Sequence, residues 1–428
     1  MKTLIKNGRV IDPANKVDLV GDLLIDKGKV AEVGRAIKAS GVKTIDASGK
    51  IVAPGFIDMH THLREPGRED AETIETGMAA AAAGGFTTVC AMPNTTPPCQ
   101  TAGDAKYLIE KAQKAGKGHL IPIGTMTRDR AGEQITEMAE LKEAGCLAVS
   151  DDGDSIAQAG VARKVMEYAS MCDMLVISHC EDKSLSGKGV MHEGYWSTVL
   201  GLAPIPSLSE VSIVERDIAL AELAGTRIHI AHVSCAESVE VVRRAKKRGV
   251  NVTCEVTPHH FSLTDKDLKT FDTNFKVNPP LRTDKDMEAL RKGLQEGIVD
   301  VIATDHAPHP EHEKEKEFDH APFGMIGLET ALSLSVMNLI DKKYLEWPGL
   351  IERLTALPAG ILGYNRGTLG EGAPADIVII DPSEEWVYRE EEVKSLSKNS
   401  PFLGKQMKAR AICVIVDGRI IHERKGKS

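Results

Sequence analysis

Eight short apolar runs recur along the middle of the chain, and stretches with helical periodicity alternate with them. The runs are Ile51–Ile57, Thr87–Met92, Leu120–Thr125, Cys146–Ser150, Met174–Ser178, Arg227–Ala231, Val250–Val256 and Val299–Ala303. Five helical patterns lie between them: Asp104–Ala115, Ile135–Ala144, Glu210–Ala224, Ala236–Arg248 and Asp284–Glu296. Each stops at a glycine, which accommodates the left-handed backbone that often ends a helix. The repeated alternation predicts an α/β fold with a (β/α)8 TIM-type barrel. A doubly wound open sheet is the alternative, but its usual phosphate-binding fingerprints are absent.

The two ends of the chain have a different pattern, with short strands separated by turn residues. These strand patterns are Thr3–Gly8, Asp22–Asp26, Lys29–Val33, Ala375–Asp381 and Ala411–Gly418. The chain has 428 residues, whereas a barrel alone takes roughly 250. We therefore predict a small β domain built from residues 1–52 and 365–428, with a hydrolase barrel of residues 53–364 inserted between the two halves.

Charge and cysteine content narrow the possible partners and compartment. The formal net charge is −9, and no basic residues cluster on one face, so no binding to nucleic acid is expected. An anionic ligand would need local positive charge from metal ions or a placed arginine. The eight cysteines form no C-x-x-C pair, which indicates reduced thiols. The chain starts without an apolar secretory segment, and no apolar run is long enough to span a membrane. These features predict a cytoplasmic protein with no membrane partner.

Nearly every predicted barrel strand ends in polar residues. The ends are Asp58–Arg64, Pro93–Asn94, Asp151–Gly153, His179–Glu181, His232–Ser234, Thr257–His260 and Thr304–His309. In a barrel these ends converge on one face, where active sites lie. Histidine and aspartate are the ligands that Zn²⁺ and similar cations take. The sequence therefore predicts a metal site at the carboxyl ends of the strands.

The alternation of side chains along a strand narrows the histidine ligands. His60 and His62 are two residues apart and can face the same metal, whereas His229 and His232 are three apart and cannot both point inward. A histidine at a strand end is commonly a hydrogen-bonded structural residue. That interpretation is preferred for His119, His229 and His422.

The aspartates stay ambiguous at this point. Asp151 and Asp152 face opposite sides, as do Asp305 and His306, so one member of each pair is expected to be a ligand. Position alone does not decide which, and an aspartate after a strand can also cap the next helix. Arg64 could form a surface salt bridge, or it could lie in phase with the histidines before it and face the metals.

Several stretches resemble the signatures of the bacterial type I dihydroorotases in the amidohydrolase superfamily. The two longest are Gly55–Gly67 (GFIDMHTHLREPG) and Ala303–His309 (ATDHAPH). Shorter ones are Met92–Thr95, Ser150–Gly153, Phe275–Leu281 and Ala321–Glu329. The similarity runs over nearly the whole chain, including the β segments at both ends.

This resemblance implies two zinc ions per subunit and a role for each site residue. His60 and His62 would ligate one metal, and His179 and His232 the other. Asp152 would bridge the metals, while Asp305 would bind the first metal and act as the catalytic acid/base. The residues that would bind substrate are His62, Arg64, Asn94, Asn278 and His309, with the backbone at Phe323 and Gly324.

The implied reaction is the reversible cyclisation of N-carbamoyl-L-aspartate to (S)-dihydroorotate and water in de novo pyrimidine biosynthesis. A metal-activated hydroxide would attack the ring amide, and Asp305 would move its proton. The resemblance leaves open a homodimer and an association with aspartate carbamoyltransferase.

Relatives with other activities differ at two positions. Hydantoinases and dihydropyrimidinases bridge their metals with a carboxylated lysine, whereas Leu147–Gly153 contains no lysine. Allantoinases usually lack an arginine at the position of Arg64. The presence of Arg64 in this chain therefore argues for a substrate with a carboxylate. Non-catalytic scaffold relatives lose metal ligands, but every ligand position is filled here.

The charged stretch His309–His320 is either a solvated loop or a lid over the site.

Overall fold

Five strands at the start of the chain belong to one sheet. In the computed structural model, which describes residues 2–424, they are β1 (Thr3–Asp12), β2 (Val17–Asp26), β3 (Lys29–Gly34), β4 (Lys43–Asp46) and β5 (Ile51–Pro54). β1 pairs antiparallel with β2 and parallel with both β4 and β5. The sheet is completed by strands from the far end of the chain.

The barrel strands follow, with one small sheet inserted among them. In chain order the strands are β6 (Phe56–Thr61), β7 (Phe86–Ala91), β8 (His119–Pro122), β9 (Ala148–Val149), β10 (Leu175–Ser178), β11 (Met191–His192), β12 (Pro204–Ile205), β13 (Ile228–Ile230), β14 (Val252–Val256) and β15 (Val301–Ile302). β11 and β12 pair only with each other, and the other eight form two parallel arcs. Parallel bridges from Gly124 to Val149 and from Thr61 to His306 join the arcs. The predicted (β/α)8 barrel is therefore confirmed.

Helices lie between and after these strands, and the longer ones pack on the outside of the barrel. They are α1 (Ile74–Gly84), α2 (Ala102–Ala115), α3 (Met138–Glu143), α4 (Ala159–Cys172), α5 (Lys183–Ser186), α6 (Tyr195–Leu200), α7 (Ser207–Ala224), α8 (Ala236–Lys247), α9 (Asp284–Gln295), α10 (Glu311–Lys314), α11 (Ala331–Ser335), α12 (Trp347–Leu354) and α13 (Ala356–Leu362). The five predicted helices correspond to α2, α3, α7, α8 and α9, and the glycine after each has a positive φ. Strand residues such as Val89 and Val176 pack with helix residues such as Met78 and Val214 in the main core.

The chain ends in three further strands, β16 (Ile377–Val387), β17 (Gln406–Val416) and β18 (Arg419–Glu423). They extend the first sheet in the order β18-β17-β16-β5-β1-β2-β3. β4 lies outside this order and pairs with β1. Ile5, Leu23 and Val52 share a core with Ile377 and Ile415. The two ends of the chain thus form one small β domain, as predicted.

The apolar run Ile51–Ile57 is not a single barrel strand, and that expectation was wrong. It divides at Gly55 into β5, which pairs with β1 and β16 in the terminal sheet, and β6, which starts the barrel. A Cβ at Gly55 would lie 2.1 Å from the Thr87 side chain, so only glycine permits this close passage. The expected boundary after residue 52 therefore falls inside β5.

Among the helices of residues 2–424, none combines the length and the apolar character that a membrane crossing requires.

Candidate active site

A cavity of about 350 Å³ opens at the carboxyl ends of the barrel strands. Most of the predicted site residues line it, and they are His62, Arg64, Asn94, Asp152, His179, His232, Asn278, Asp305, His309, Phe323 and Gly324. His60 lies beneath them, fully buried, with its Nε2 atom 3.4 Å from Asp152 Oδ1. The structure brings every predicted site residue to one place.

Asp152 lies between two pairs of histidines. Its Oδ2 atom is 3.4 Å from His62 Nε2, while its Oδ1 atom is 3.4 Å from His60 Nε2. The same Oδ1 atom is 3.6 Å from both His179 Nδ1 and His232 Nε2. One carboxylate thus faces four imidazole nitrogens that come from the first, fifth and sixth barrel strands.

Asp305 closes the group on the side of the first pair. Its Oδ1 atom is 2.9 Å from His62 Nε2 and 3.6 Å from His60 Nε2. Burial raises the pKa of Asp305, but the neighbouring His60 and His62 lower this pKa by a larger amount. The net shift is therefore downward. This carboxylate is therefore held in its anionic form.

The tertiary structure distinguishes the members of the two ambiguous pairs. Asp151 turns away from the cavity and accepts hydrogen bonds from the backbone N–H groups of Met126 at 2.8 Å and Thr127 at 3.1 Å. His306 accepts from the Gly327 N–H at 3.2 Å through Nδ1, and its Nε2 lies 3.3 Å from Glu72. Asp152 and Asp305 are the members that face the histidines.

Three site residues have a backbone conformation that non-glycine residues rarely adopt. The φ angles are 62° for Arg64, 30° for His232 and 48° for Asp305. Such strained positions cluster at functional sites, where the surrounding structure maintains them. β6 ends at Thr61, so Arg64 does not lie in strand phase with His60 and His62. The Arg64 side chain nevertheless reaches the cavity, because the turn redirects it.

A buried carboxylate that the sequence reasoning missed supports His60 from below. Glu255 Oε1 lies 2.6 Å from His60 Nδ1, and Glu255 Oε2 lies 3.1 Å from His229 Nε2. Burial raises the pKa of Glu255, but His60 and His229 together bring it down to about 2. The signal was a single glutamate inside the apolar run Val250–Val256. His229 bonds Glu255 and Thr253, which is the structural role expected for it.

Two other cavity histidines also have partners on the nitrogen that faces away from the cluster. His62 Nδ1 lies 2.9 Å from Asn94 Oδ1. His179 Nε2 lies 3.3 Å from Glu181 Oε2, which also accepts a hydrogen bond from Asn278 Nδ2 at 3.0 Å. Such partners fix the tautomer and the orientation of a ligating histidine. Glu181 had no predicted role, although it stands two residues after His179.

The cluster fits a divalent cation. Ligand atoms of His60, His62 and Asp305 lie within 4.8 Å of one another, as do those of His60, Asp152 and His232. Within residues 2–424, the buried His60 Nε2 and Asp152 Oδ1 atoms receive no hydrogen bond. Unpaired buried donors and acceptors are costly unless a ligand satisfies them. Imidazole and carboxylate together are the donor set that Zn²⁺ takes.

Arg64 brings a positive charge to the edge of the cavity beside His309. Its Nε atom donates to the Pro308 carbonyl at 3.0 Å, and its terminal nitrogen lies 3.1 Å from His309 Nε2. Burial lowers the pKa of Arg64 to about 10, so the guanidinium stays charged at neutral pH. No carboxylate within residues 2–424 forms an ion pair with it. The cavity thus presents a cation without a protein counter-ion.

The charged stretch His309–His320 packs beside this edge. It contains the short helix α10 and is anchored by the buried side chains of Lys314 and Phe318, while Lys316 and Glu317 are exposed. The segment is therefore held by two buried side chains, and its role as a lid stays a prediction.

A (β/α)8 barrel with buried histidines and aspartates at its carboxyl face is the arrangement of the metal-dependent amidohydrolases. Solved structures of that class are similar over almost the whole chain. The L-hydantoinase (dihydropyrimidinase) from Arthrobacter aurescens superimposes with a TM-score of 0.88 at 26% identity, covering 98% of this chain and 96% of its own. A crystal structure of a D-hydantoinase gives a TM-score of 0.85 at 25% identity, covering 99% and 95%.

Sequence comparison identifies the family within this class. The family described as Dihydro-orotase-like matches residues 49–238. The dihydroorotase of Geotalea daltonii is 49% identical over 425 residues, which is 99% of this chain and 100% of that protein. The dihydroorotase of Acetivibrio thermocellus is 48% identical over 422 residues, 99% of each chain. The chain belongs to the dihydroorotase family.

Proposed function

We propose that this protein catalyses the reversible cyclisation of N-carbamoyl-L-aspartate to (S)-dihydroorotate and water, a step of pyrimidine biosynthesis. The observation that carries the proposal is the Arg64 guanidinium, which faces the cavity beside the histidine cluster and has no carboxylate partner within residues 2–424. Both forms of the substrate carry an α-carboxylate that takes no part in the reaction. A guanidinium binds such a group through two parallel hydrogen bonds.

The second candidate is hydrolysis of an uncharged cyclic ureide, which is favoured by the similarity to solved hydantoinases. Two features favour the first candidate instead. The residues that line the cavity include Asp152 from the fourth barrel strand and no lysine. The relatives at 48–49% identity over the full chain are dihydroorotases.

We infer that the site holds two zinc ions. His60, His62 and Asp305 would hold one, His179 and His232 the other, and Asp152 would bridge them, which the positions of its two oxygens support. When bound, such ions lower the pKa of water to about 7 and polarise a carbonyl group.

The side chains of the cavity divide the remaining work. Arg64, with His309 beside it, holds the substrate carboxylate at one edge, so that the ring amide lies over the cluster. Asn94, Asn278 and the Phe323 backbone supply further polar contacts. In the hydrolytic direction Asp305, held anionic, accepts the proton of the attacking water and delivers it to the ring nitrogen as the C–N bond breaks. In cyclisation the same group works in reverse.

We propose that the enzyme works in the cytoplasm, because all eight cysteines are free thiols, seven of them buried.

The homodimer and the association with an aspartate carbamoyltransferase remain predictions from the resemblance. Sedimentation of the protein alone, and then with the carbamoyltransferase of the same organism, tests both.

The decisive assay compares dihydroorotate, hydantoin and allantoin as substrates for one preparation whose zinc content is measured. We expect turnover of dihydroorotate to exceed that of both neutral ureides. Faster turnover of hydantoin or allantoin would assign the protein to the second candidate.

Replacing Arg64 tests substrate choice. Arg64→Ala removes the charged partner of the substrate carboxylate in a desolvated site, which costs on the order of 3 kcal/mol. We expect kcat/KM for dihydroorotate to fall at least about a hundredfold. Arg64→Lys is expected to restore little, because an ammonium group cannot form the two-pronged bond.

Two controls accompany the Arg64 variants. The zinc content should not change, because Arg64 faces the cavity edge and not the cluster. Any activity on a neutral ureide should fall much less than activity on dihydroorotate. Equal losses on both substrates would mean that Arg64 only supports the loop at Pro308.

Glu255 is expected to set the affinity for metal. Glu255→Gln keeps the size of the side chain but removes the negative charge against His60 Nδ1 and His229 Nε2. Loss of such a partner costs about 10- to 100-fold in metal affinity, which competition with a chromogenic chelator measures without any assay of turnover. Glu329→Gln is the matched control, since Glu329 is a half-buried glutamate outside the cavity and accepts from the Lys394 N–H at 2.9 Å. Unchanged affinity in Glu255→Gln would refute the role.

A further inference from the structure

Two buried lysines bind the backbone of the segment that forms one wall of the cavity. Lys276 Nζ donates to the carbonyls of Phe318 at 2.6 Å and Ala321 at 2.7 Å, and it lies 3.2 Å from that of Asp319. Lys314 Nζ donates to the carbonyls of Pro322 at 2.9 Å and Gly324 at 3.0 Å. Five of the seven carbonyls from residue 318 to residue 324 therefore point at the amino group of a lysine.

These lysines are unusual because they are buried without a counter-ion. The exposed fractions are 2% for Lys276 and 6% for Lys314, and neither forms an ion pair within residues 2–424. Burial lowers the pKa of Lys276 to about 8 and that of Lys314 to about 7. Burying a cation in this way costs stability. The arrangement is therefore not explained by stability alone.

The bond from Lys314 has a direct consequence for the next peptide group. The Pro322–Phe323 peptide is trans, and in a trans peptide the C=O and the N–H point in opposite directions. Because the Pro322 carbonyl points at Lys314, the Phe323 N–H points to the other side. Within residues 2–424 this N–H donates to no protein group, and Pro322, Phe323 and Gly324 line the cavity.

The neighbouring groups of the segment are already engaged. The Gly324 N–H donates to the Lys276 carbonyl at 2.8 Å. The Phe323 carbonyl lies 2.8 Å from His309 Nε2, which is also 3.1 Å from a terminal nitrogen of Arg64. Of the two residues whose backbone was expected to bind substrate, only Phe323 keeps a free N–H. It lies at the cavity edge that Arg64 and His309 share.

We propose that Lys314, assisted by Lys276, is a positioning residue that holds the Pro322–Phe323 peptide so that the Phe323 N–H donates to the substrate at the end bound by Arg64. The proposal rests on the proposed function, since it concerns the same substrate in the same cavity. Neither lysine lines the cavity. The lysines therefore act on substrate binding and not on the proton transfer by Asp305.

The test separates binding from chemistry. Lys314→Met keeps the length of the side chain and removes the donors, so the peptide loses its orientation. We expect KM for dihydroorotate to rise roughly tenfold, with kcat changed less than about twofold, because an interaction made equally in the ground and transition states affects KM alone. Lys316→Met, an exposed lysine of the same segment, is the matched control and should change neither constant. Zinc content should stay at the level of the unchanged protein.

Amide hydrogen exchange gives a readout independent of kinetics and of any variant. In the unchanged protein, a saturating equilibrium mixture of dihydroorotate and N-carbamoyl-L-aspartate should slow exchange of the Phe323 amide. Lys276→Met provides a second variant if Lys314→Met does not fold, with the same expected rise in KM.

Each result decides the matter. Unchanged KM in a folded lysine variant, or a Phe323 amide that exchanges equally fast with and without ligand, overturns the proposal. A fall in kcat and zinc content with KM unchanged would mean that the lysines only support the fold. Failure of the unchanged protein to turn over dihydroorotate would instead overturn the proposed function.

Discussion

Removing the metal ions is expected to lower kcat/KM for dihydroorotate at least about a thousandfold. A bound cation would lower the pKa of the attacking water and polarise the ring carbonyl. Loss of about 4 kcal/mol of transition-state stabilisation corresponds to a thousandfold fall in kcat/KM. The experiment is dialysis against a chelator, with zinc measured in the same sample by elemental analysis. Activity should return in proportion to zinc added back.

Metal removal should also lower the thermal stability, because metal ions that bind the folded state stabilise it. Without the ions, His60 Nε2 and Asp152 Oδ1 are buried without a partner. Calorimetry of the stripped and reconstituted protein measures this effect separately from catalysis. Full activity in a sample free of metal would contradict the two-zinc site and the reaction built on it.

Asp305→Asn is expected to lower kcat by about 10³- to 10⁴-fold. Asparagine keeps the size and one oxygen of the side chain, but it cannot accept the proton of the attacking water, and positioned acid–base groups contribute factors of this order. Steady-state kinetics at saturating zinc measures the loss. KM should change much less than kcat, because Arg64 and the cavity edge still bind the substrate.

The Asp305 experiment needs a control for loss of metal, since the same carboxylate lies 2.9 Å from His62 Nε2. Zinc content is therefore measured on each variant, and Asp341→Asn, which changes an aspartate bound to Lys408 outside the cavity, should behave like the unchanged protein. A variant with full zinc content and near-normal kcat would remove Asp305 from the catalytic role.

The sequence alone determined the barrel and the location of the site. Strand–helix alternation is a local pattern, and because all parallel strands of a barrel end on the same face, polar residues after those strands had to converge. His60 lies at the end of the first barrel strand, and His179 and His232 follow the fifth and sixth. This order along the chain was sufficient to group them. α1 was not predicted, because its alanine-rich stretch, Met78–Gly84, has no polar face to give it helical periodicity.

The choice between adjacent residues required the tertiary structure. Asp151 and Asp152 have the same chemistry and follow the same strand, and they differ only in that the backbone of Met126 and Thr127 engages Asp151. The continuous apolar run Ile51–Ile57 gave no sign of its division, because the close passage of Thr87 that requires Gly55 involves a distant strand.

The supporting residues were the least visible in the sequence. Glu255 acts through His60 and His229, and Lys314 acts through the carbonyls of Pro322 and Gly324, so their roles depend on partners that only folding brings together. A polar residue in an apolar strand or a lysine in a charged loop has an ordinary local pattern. The sequence thus determined which groups meet at the barrel face, and the tertiary structure decided their orientations, because hydrogen-bond directions depend on contacts between distant parts of the chain.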